Sequence, residues 1–124
     1  MHLHIDFETR STVDLRKTGL HRYAAHPTTD LWCACWELDG VEGTWRPGDP
    51  IPDLTADIIY AFNAGFEYAI WFNILGPRYG WPVPDITQFR CTAAMAAAMS
   101  LPRNLGDAIA AVHRNCVMSG TGQP

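Results

Sequence analysis

The sequence lacks the features of membrane and secreted proteins. No apolar run reaches the ~18 residues that a membrane-spanning helix needs. The opening residues, MHLHIDFE, are too polar for a signal peptide. Four cysteines, Cys33, Cys35, Cys91 and Cys116, show no spacing typical of a disulfide framework. We therefore expect a reduced, cytoplasmic protein without a membrane partner, in which Cys33 and Cys35 share one strand face as small buried hydrophobic residues.

Positive charge is also scarce. The sequence has nine lysine and arginine residues and thirteen acidic residues, which gives a net charge of −4. A free-standing duplex binder usually carries the opposite sign. The balance still allows a site that grips a few nucleotides through bound divalent cations. Arg10, Arg16, Lys17 and Arg22 fall in one short stretch, which a solvated surface explains as well as a binding role does.

The chain has no internal repeat and no linker, and its 124 residues suffice for one domain. Hydrophobic residues make up 48% and charged residues 18%, a composition typical of globular proteins with one core. We expect a packed domain over residues 1–114 and an irregular tail over residues 115–124.

Three strands are predicted first. Residues 3–8 alternate apolar and polar side chains, which predicts a half-buried strand. Residues 31–38 predict a second strand, and residues 43–46 a short third strand that pairs back onto it. The compact apolar run over residues 58–62 predicts a fully buried strand.

Helical segments surround these strands. We expect a short helix within residues 14–25, one over residues 54–57 capped by Asp53, and one from Phe66 to about Leu75. The last is expected to end at Gly76 and Pro77. Two more are predicted over residues 92–101 and 105–114. The order predicts an α/β fold with a mixed sheet, three antiparallel N-terminal strands and flanking helices.

An acidic pair lies on the first strand. Asp6 and Glu8 are two residues apart, so their side chains leave the same face with Cα atoms roughly 6.6 Å apart. Two carboxylates that close repel each other unless a cation lies between them, and Mg²⁺ and Mn²⁺ prefer such oxygen ligands. A solvent-facing strand surface is the simpler alternative.

A third acid lies far away in sequence. Glu67 falls in the first turn of the helix that follows the buried strand, four residues after Asn63. The helix dipole favours a carboxylate there, which is one explanation. The other is a metal ligand at the mouth of the sheet, where ligand sites of open α/β sheets gather.

Three stretches carry a family resemblance: DFETRSTVDLRKTGLHRYAAHPTTDLWCACW, AFNAGFEYAIW and CTAAMAAAMSLPRNL. Together they resemble the N-terminal DEDD-type 3′→5′ exonuclease domain of bacteriophage-type family A DNA polymerases. The first motif of that family, D-x-E, falls on Asp6 and Glu8. Its second motif falls on Asn63 and Glu67, with Glu where many members have Asp.

The resemblance implies an RNase H-like fold and the removal of nucleotides from DNA 3′ ends by two-metal hydrolysis, with Mg²⁺ or Mn²⁺. The implied metal ligands and catalytic residues are Asp6, Glu8 and Glu67. The implied contacts to the terminal nucleotide are Thr9, Asn63 and Phe66, although Phe66 also suits the core. The implied partners are a single-stranded DNA 3′ end and a downstream polymerase domain.

The third motif of the family, a Tyr or His followed closely by Asp, is missing. No acid follows His113, and neither Asp85 nor Asp107 has a Tyr or His at the right offset. We therefore expect a partial or degenerate exonuclease domain that is weak or inactive in these 124 residues.

Two alternatives stay open. One is a non-catalytic binding or assembly module, with a homodimer formed through an apolar sheet face that a missing helix would leave exposed. The other is a different RNase H-like nuclease, such as a ribonuclease or a recombination enzyme.

Overall fold

A mixed sheet is the centre of the computed structural model, which describes residues 1–99, 105–107 and 109–110. In that part of the chain its strands are β1 (His2–Arg10), β2 (Asp30–Leu38), β3 (Val41–Trp45), β4 (Ile58–Ala61) and β5 (Phe89–Cys91). Their order is β3-β2-β1-β4-β5. β1 to β3 pair antiparallel, whereas β4 is parallel to both β1 and β5. The predicted α/β class and mixed sheet are confirmed, and the arrangement is compatible with an RNase H-like fold.

Helices connect the strands. The segments between β1 and β2 are α1 (Leu15–Thr18) and α2 (Leu20–Ala25). Between β4 and β5 lie α3 (Ala64–Ile70), a π-helical turn (Trp71–Leu75), α4 (Gly76–Tyr79) and a 3₁₀ turn (Ile86–Gln88). After β5 comes α5 (Thr92–Ala98). Throughout the described stretches, every helix falls short of the length and apolar character that crossing a bilayer requires.

The helix after β4 is longer than predicted. We expected it to end at Gly76 and Pro77, but the chain stays helical to Tyr79 and ends at Gly80, whose φ of 75° lies in the left-handed region. A proline is tolerated in the first turn of a helix, where its missing N–H costs nothing. Pro77 occupies that position in α4, directly after the π-helical turn. The prediction of an end at Gly76 is therefore wrong.

One other local prediction is wrong. Residues 54–57 are not helical, because Asp53 accepts hydrogen bonds from the backbone N–H and the hydroxyl of Thr55 and so closes a turn instead. The short helix expected within residues 14–25 is confirmed as helical structure, although Gly19, with a φ of 82°, divides it into α1 and α2.

The C-terminal predictions are only partly covered. Residues 105–107 and 109–110 are helical, as expected. The rest of the helix predicted over residues 105–114, the end of the helix predicted over residues 92–101, His113 and the tail over residues 115–124 lie outside the described residues.

The core lies between one face of the sheet and the helices. Its residues on β1 alternate, as predicted: Leu3, Ile5 and Phe7. Trp81 packs edge to face against Trp45 and Trp71, with ring centroids 5.1 and 5.7 Å apart. Aromatic pairs of this geometry add to the stability that burial of their area already provides.

The opposite face of the sheet is polar and exposed along β1 and β2. The register places Asp6 beside Cys35 and Glu8 beside Cys33. Cys35 is exposed and Cys33 is half-buried, so the prediction of two buried cysteines is wrong, although they do share a face. Alternation explains the outcome, because β2 directs Ala34 into the core and turns both neighbours outward.

Candidate functional site

β1 presents the acidic pair on the exposed face of the sheet. Asp6 and Glu8 are exposed, whereas Phe7 between them is 4% exposed and packs in the core. The two-residue period of a strand is sufficient to produce this placement.

β4 ends before β1 does, and the start of α3 lies beside the rest of β1. β4 pairs with β1 only from His2 to His4. Asn63 then begins α3, and its carbonyl accepts a hydrogen bond from the N–H of Glu67 at 3.3 Å. The first turn of α3 therefore lies alongside the part of β1 that β4 leaves uncovered, next to Phe7.

Glu67 is a buried carboxyl group with only 4% of its surface exposed. Burial raises its pKa from the usual 4.5 to about 7, and the nearby carboxyl groups of Asp6 and Glu8 add to the increase. Backbone hydrogen bonding from Glu67 itself and from Phe7 opposes it. A favourable helix dipole accounts for an exposed acid in a first turn, but it does not account for this burial.

One oxygen of Glu67 lacks a partner. Oε2 is buried and accepts no hydrogen bond from the residues that the structure describes. A buried polar atom without a partner costs about 1–3 kcal/mol. With Asp6 and Glu8 close enough to raise the pKa of Glu67, a proton or a cation would remove both the unpaired atom and the repulsion.

The three carboxyl groups are electrostatic neighbours that do not meet at one point. Within residues 1–99 and the short described pieces after them, no three His, Cys, Asp or Glu side chains form a group that could hold a metal ion. Like charges separate when no cation lies between them. Asp6 and Glu8 are exposed, so their side chains are free to change rotamer. Their role as metal ligands with Glu67 stays a prediction.

The implied nucleotide contacts lie in different environments. Thr9 is half-buried, and its hydroxyl is 2.7 Å from that of Tyr23. Phe66 packs against the core with its ring 6.3 Å from Tyr23, as its alternative core role predicts. Asn63 is exposed, and its side chain does not cap α3. The geometry favours Asn63 over the other two as a contact to substrate.

A groove of about 590 Å³ lies beside Asp6, and the sequence motifs do not predict it. Its lining includes His4, Asp6, Cys35, Tyr60 and Thr92. The rings of His4 and Tyr60 stack with centroids 4.8 Å apart and planes 15° apart. Alternation along β1 could have placed His4 beside Asp6, but Tyr60 joins them only through the parallel pairing of β4 with β1.

The exposed sheet face differs from the one assumed for the homodimer. That hypothesis requires an apolar face, whereas the described strands carry acids there, including Glu37 and Glu42 as cross-strand partners. The homodimer stays a prediction, without support from this face.

A known protein aligns with most of this sequence. A DNA polymerase from Bacillus phage SP02 is 32% identical to it over 116 residues. The chain is similar to a phage DNA polymerase. The similarity covers 83% of the chain but only 17% of the polymerase, so the chain spans a small part of that protein. No family model matches the chain, and no solved structure matches it. The polymerase relationship predicted from the motifs is supported, whereas the match does not identify the exonuclease domain within it.

Proposed function

We propose that this chain is the 3′→5′ exonuclease part of a phage-type DNA polymerase, acting on the 3′ end of a DNA strand with Mg²⁺ or Mn²⁺. The observation that carries the proposal is the buried carboxyl of Glu67 beside the exposed pair Asp6 and Glu8. The similarity to a phage DNA polymerase supports the same context.

The donors fit a divalent cation in chemistry and in charge. Three carboxyl groups offer the hard oxygen ligands that Mg²⁺ and Mn²⁺ prefer. The unpaired Oε2 of Glu67 provides a buried acceptor, which is costly unless a ligand occupies it. Asp6, Glu8 and Glu67 would hold the ions, and when bound these ions activate a water and stabilise the leaving oxygen of the phosphodiester.

The side chains of the chain have separate roles in this proposal. Glu67 gives up its proton when an ion binds, because its pKa of about 7 leaves much of it protonated near neutral pH. Asn63, exposed at the start of α3, contacts the terminal nucleotide. A downstream polymerase segment is the proposed partner of the domain. Because no acid follows His113, we expect slow hydrolysis by these 124 residues alone.

A nuclease assay tests the proposal. A single DNA strand labelled at its 3′ end is incubated with excess protein and Mn²⁺, and release of the labelled nucleotide is followed over hours. We expect slow release that depends on Mn²⁺ and is lost in Asp6→Asn and Glu67→Gln. Glu37→Gln, an exposed acid on the same sheet, is the control that keeps the activity.

Two results would contradict the proposal. The first is cleavage that both site variants retain, since it would come from another protein or another site. The second is no release by the unmodified chain at any protein concentration, which favours the non-catalytic binding module.

A further inference from the structure

A bulge in β2 leaves an exposed tryptophan beside the acidic pair. The register between β1 and β2 shifts after Glu8, which pairs with Cys33, whereas Thr9 pairs with Leu31. Trp32 is the extra residue, and it is 60% exposed. Bulges re-aim side chains and are frequent next to active sites. The indole therefore lies one residue along the chain from the direct partner of Glu8.

Arg10 lies over the ring of that indole. Its guanidinium carbon is 5.9 Å from the centroid of the Trp32 ring, and Asp30 lies 3.8 Å from the same guanidinium. Arg10 also continues the row of alternate residues on β1 that carries Asp6 and Glu8. One end of the acidic row thus finishes in an exposed aromatic ring paired with an exposed cation.

The segment that follows Arg10 along the chain is basic, and its second helix, α2, packs against α3. Arg16, Lys17 and Arg22 are exposed on α1 and α2, and none of them has an ion-pair partner among the described residues. This segment begins and ends at the strand ends that carry Arg10 and Asp30.

Hydrogen bonds fix the base of the basic segment to those strand ends. The hydroxyls of Ser11 and Thr29 are 2.7 Å apart, as are those of Thr12 and Thr28. Arg78 of α4 donates to the carbonyl of Thr29 at 2.6 Å. The positive charges are therefore attached to a fixed part of the molecule.

On the side of the acidic pair away from Arg10, the sheet carries exposed, negatively charged residues. Glu37 and Glu42 are exposed cross-strand partners on β2 and β3. Phosphate groups are repelled there and attracted towards Arg10 and the basic segment. A nucleic-acid strand whose end lies at Asp6 and Glu8 is therefore expected to run towards Arg10 and not towards Glu37 and Glu42.

We propose that Trp32, with Arg10 beside it, is a stacking platform for a base of single-stranded DNA, and that the strand continues from there towards Arg16, Lys17 and Arg22. Single-strand binding sites combine an aromatic ring for the bases with positive charge for the backbone, and this surface offers both. The inference rests on the proposed function for the position of the 3′ end, but not for binding itself.

Fluorescence anisotropy with a 5′-fluorescein oligonucleotide of deoxythymidine tests the surface. The protein is assayed in EDTA, so that neither cleavage nor a metal site affects the result. We expect Trp32→Ala to weaken binding about tenfold, the size of effect that loss of one stacked base produces. Phe72→Ala removes a ring that is 56% exposed on the helix that follows β4, and it should leave the affinity unchanged.

Two further variants give independent results. Trp32→Phe keeps a ring, so affinity should stay within about threefold while DNA-dependent quenching of tryptophan fluorescence falls. Replacing Arg16, Lys17 and Arg22 together by Ser should reduce the slope of log affinity against log salt concentration by about 2. Each of the three lost phosphate contacts contributes roughly 0.7 to that slope.

Several outcomes would overturn the proposal: no oligonucleotide binding by the unmodified protein, equal affinity in a folded Trp32→Ala variant, or an equal loss in Phe72→Ala. Circular dichroism verifies that each variant is folded. If the unmodified protein does not bind Mn²⁺ but Trp32→Ala still weakens oligonucleotide binding, only the metal site is refuted. If the unmodified protein binds Mn²⁺ but Trp32→Ala binds the oligonucleotide as tightly as it does, only the proposed stacking surface is refuted.

Discussion

At the scale of single residues, the unusual feature is an acid whose proton is retained by folding. The pKa of Glu67 is about 7 in the folded chain against an ordinary value of 4.5. Between these two values the folded state binds more protons than the unfolded state. The free energy of unfolding therefore falls as pH rises through that window, by roughly 3 kcal/mol in total, and stays low above it.

Glu67→Gln should remove this dependence, because the amide carries no charge at any pH. Without metal, we expect the variant to melt above the unmodified protein at pH 8 and near it at pH 5. Thermal unfolding at half-unit steps between pH 5 and pH 8 measures the difference. Exposed Glu37→Gln is the control that should keep the original profile. Parallel profiles for Glu67→Gln and the unmodified protein would show that Glu67 does not hold its proton on folding.

The sequence predicts part of this site. The D-x-E spacing on an alternating strand is enough to place Asp6 and Glu8 together on the exposed face. The burial of Glu67 does not follow from its position in a first turn, which is usually exposed. It arises because β4 pairs with β1 only as far as His4, and no local pattern encodes where a parallel pairing ends.

At the scale of elements, a glycine in the β2–β3 hairpin leaves the space that a tryptophan ring occupies. A Cβ atom on Gly43 would lie 2.5 Å from the ring of Trp36, its cross-strand partner. Gly43→Ala should therefore force the indole to move and lower the free energy of unfolding by about 1–3 kcal/mol.

Gly65→Ala is the matched comparison. Its Cβ would meet no atom within 4 Å, and it lies in the first turn of α3. Because Ala is the better helix former, we expect a gain of about 0.5–1 kcal/mol. Urea unfolding of both variants measures the pair, and a Gly43→Ala protein as stable as Gly65→Ala would contradict the described hairpin packing.

The elements themselves differ in how far they can be predicted. The dense apolar run over residues 58–62 is enough to predict a strand, which is confirmed as Ile58–Ala61. The prediction that it is fully buried is wrong, because only Ile59 and Ala61 are buried. Phe89–Cys91 is a strand of three residues that pairs with β4, and a segment this short has no periodic pattern that predicts a strand. The helix continues through Gly76 and Pro77 although both residues are local helix breakers, because Ile74 and Leu75 are 0% exposed and pack in the core.

At the scale of the whole molecule, the exposed face of the sheet is divided by charge. Acids lie at its centre and on the β2–β3 hairpin, whereas Arg10 is the last residue of β1 and the basic segment follows it in the chain. Composition alone gives a net charge of −4, which argues against a free-standing duplex binder. The fold separates the two signs, which is why the overall charge does not determine what this face binds.

Calorimetric titration of Mn²⁺ into the protein tests the central claim, that Glu67 completes a cation site with Asp6 and Glu8. At pH 6 Glu67 is mostly protonated, so binding should release close to one proton and the measured heat should change with the ionisation enthalpy of the buffer. We predict that Glu67→Gln loses both the proton release and at least tenfold in affinity, while Glu37→Gln keeps both. Equal Mn²⁺ binding by the unmodified protein and Glu67→Gln, with no proton released by either, would contradict the account.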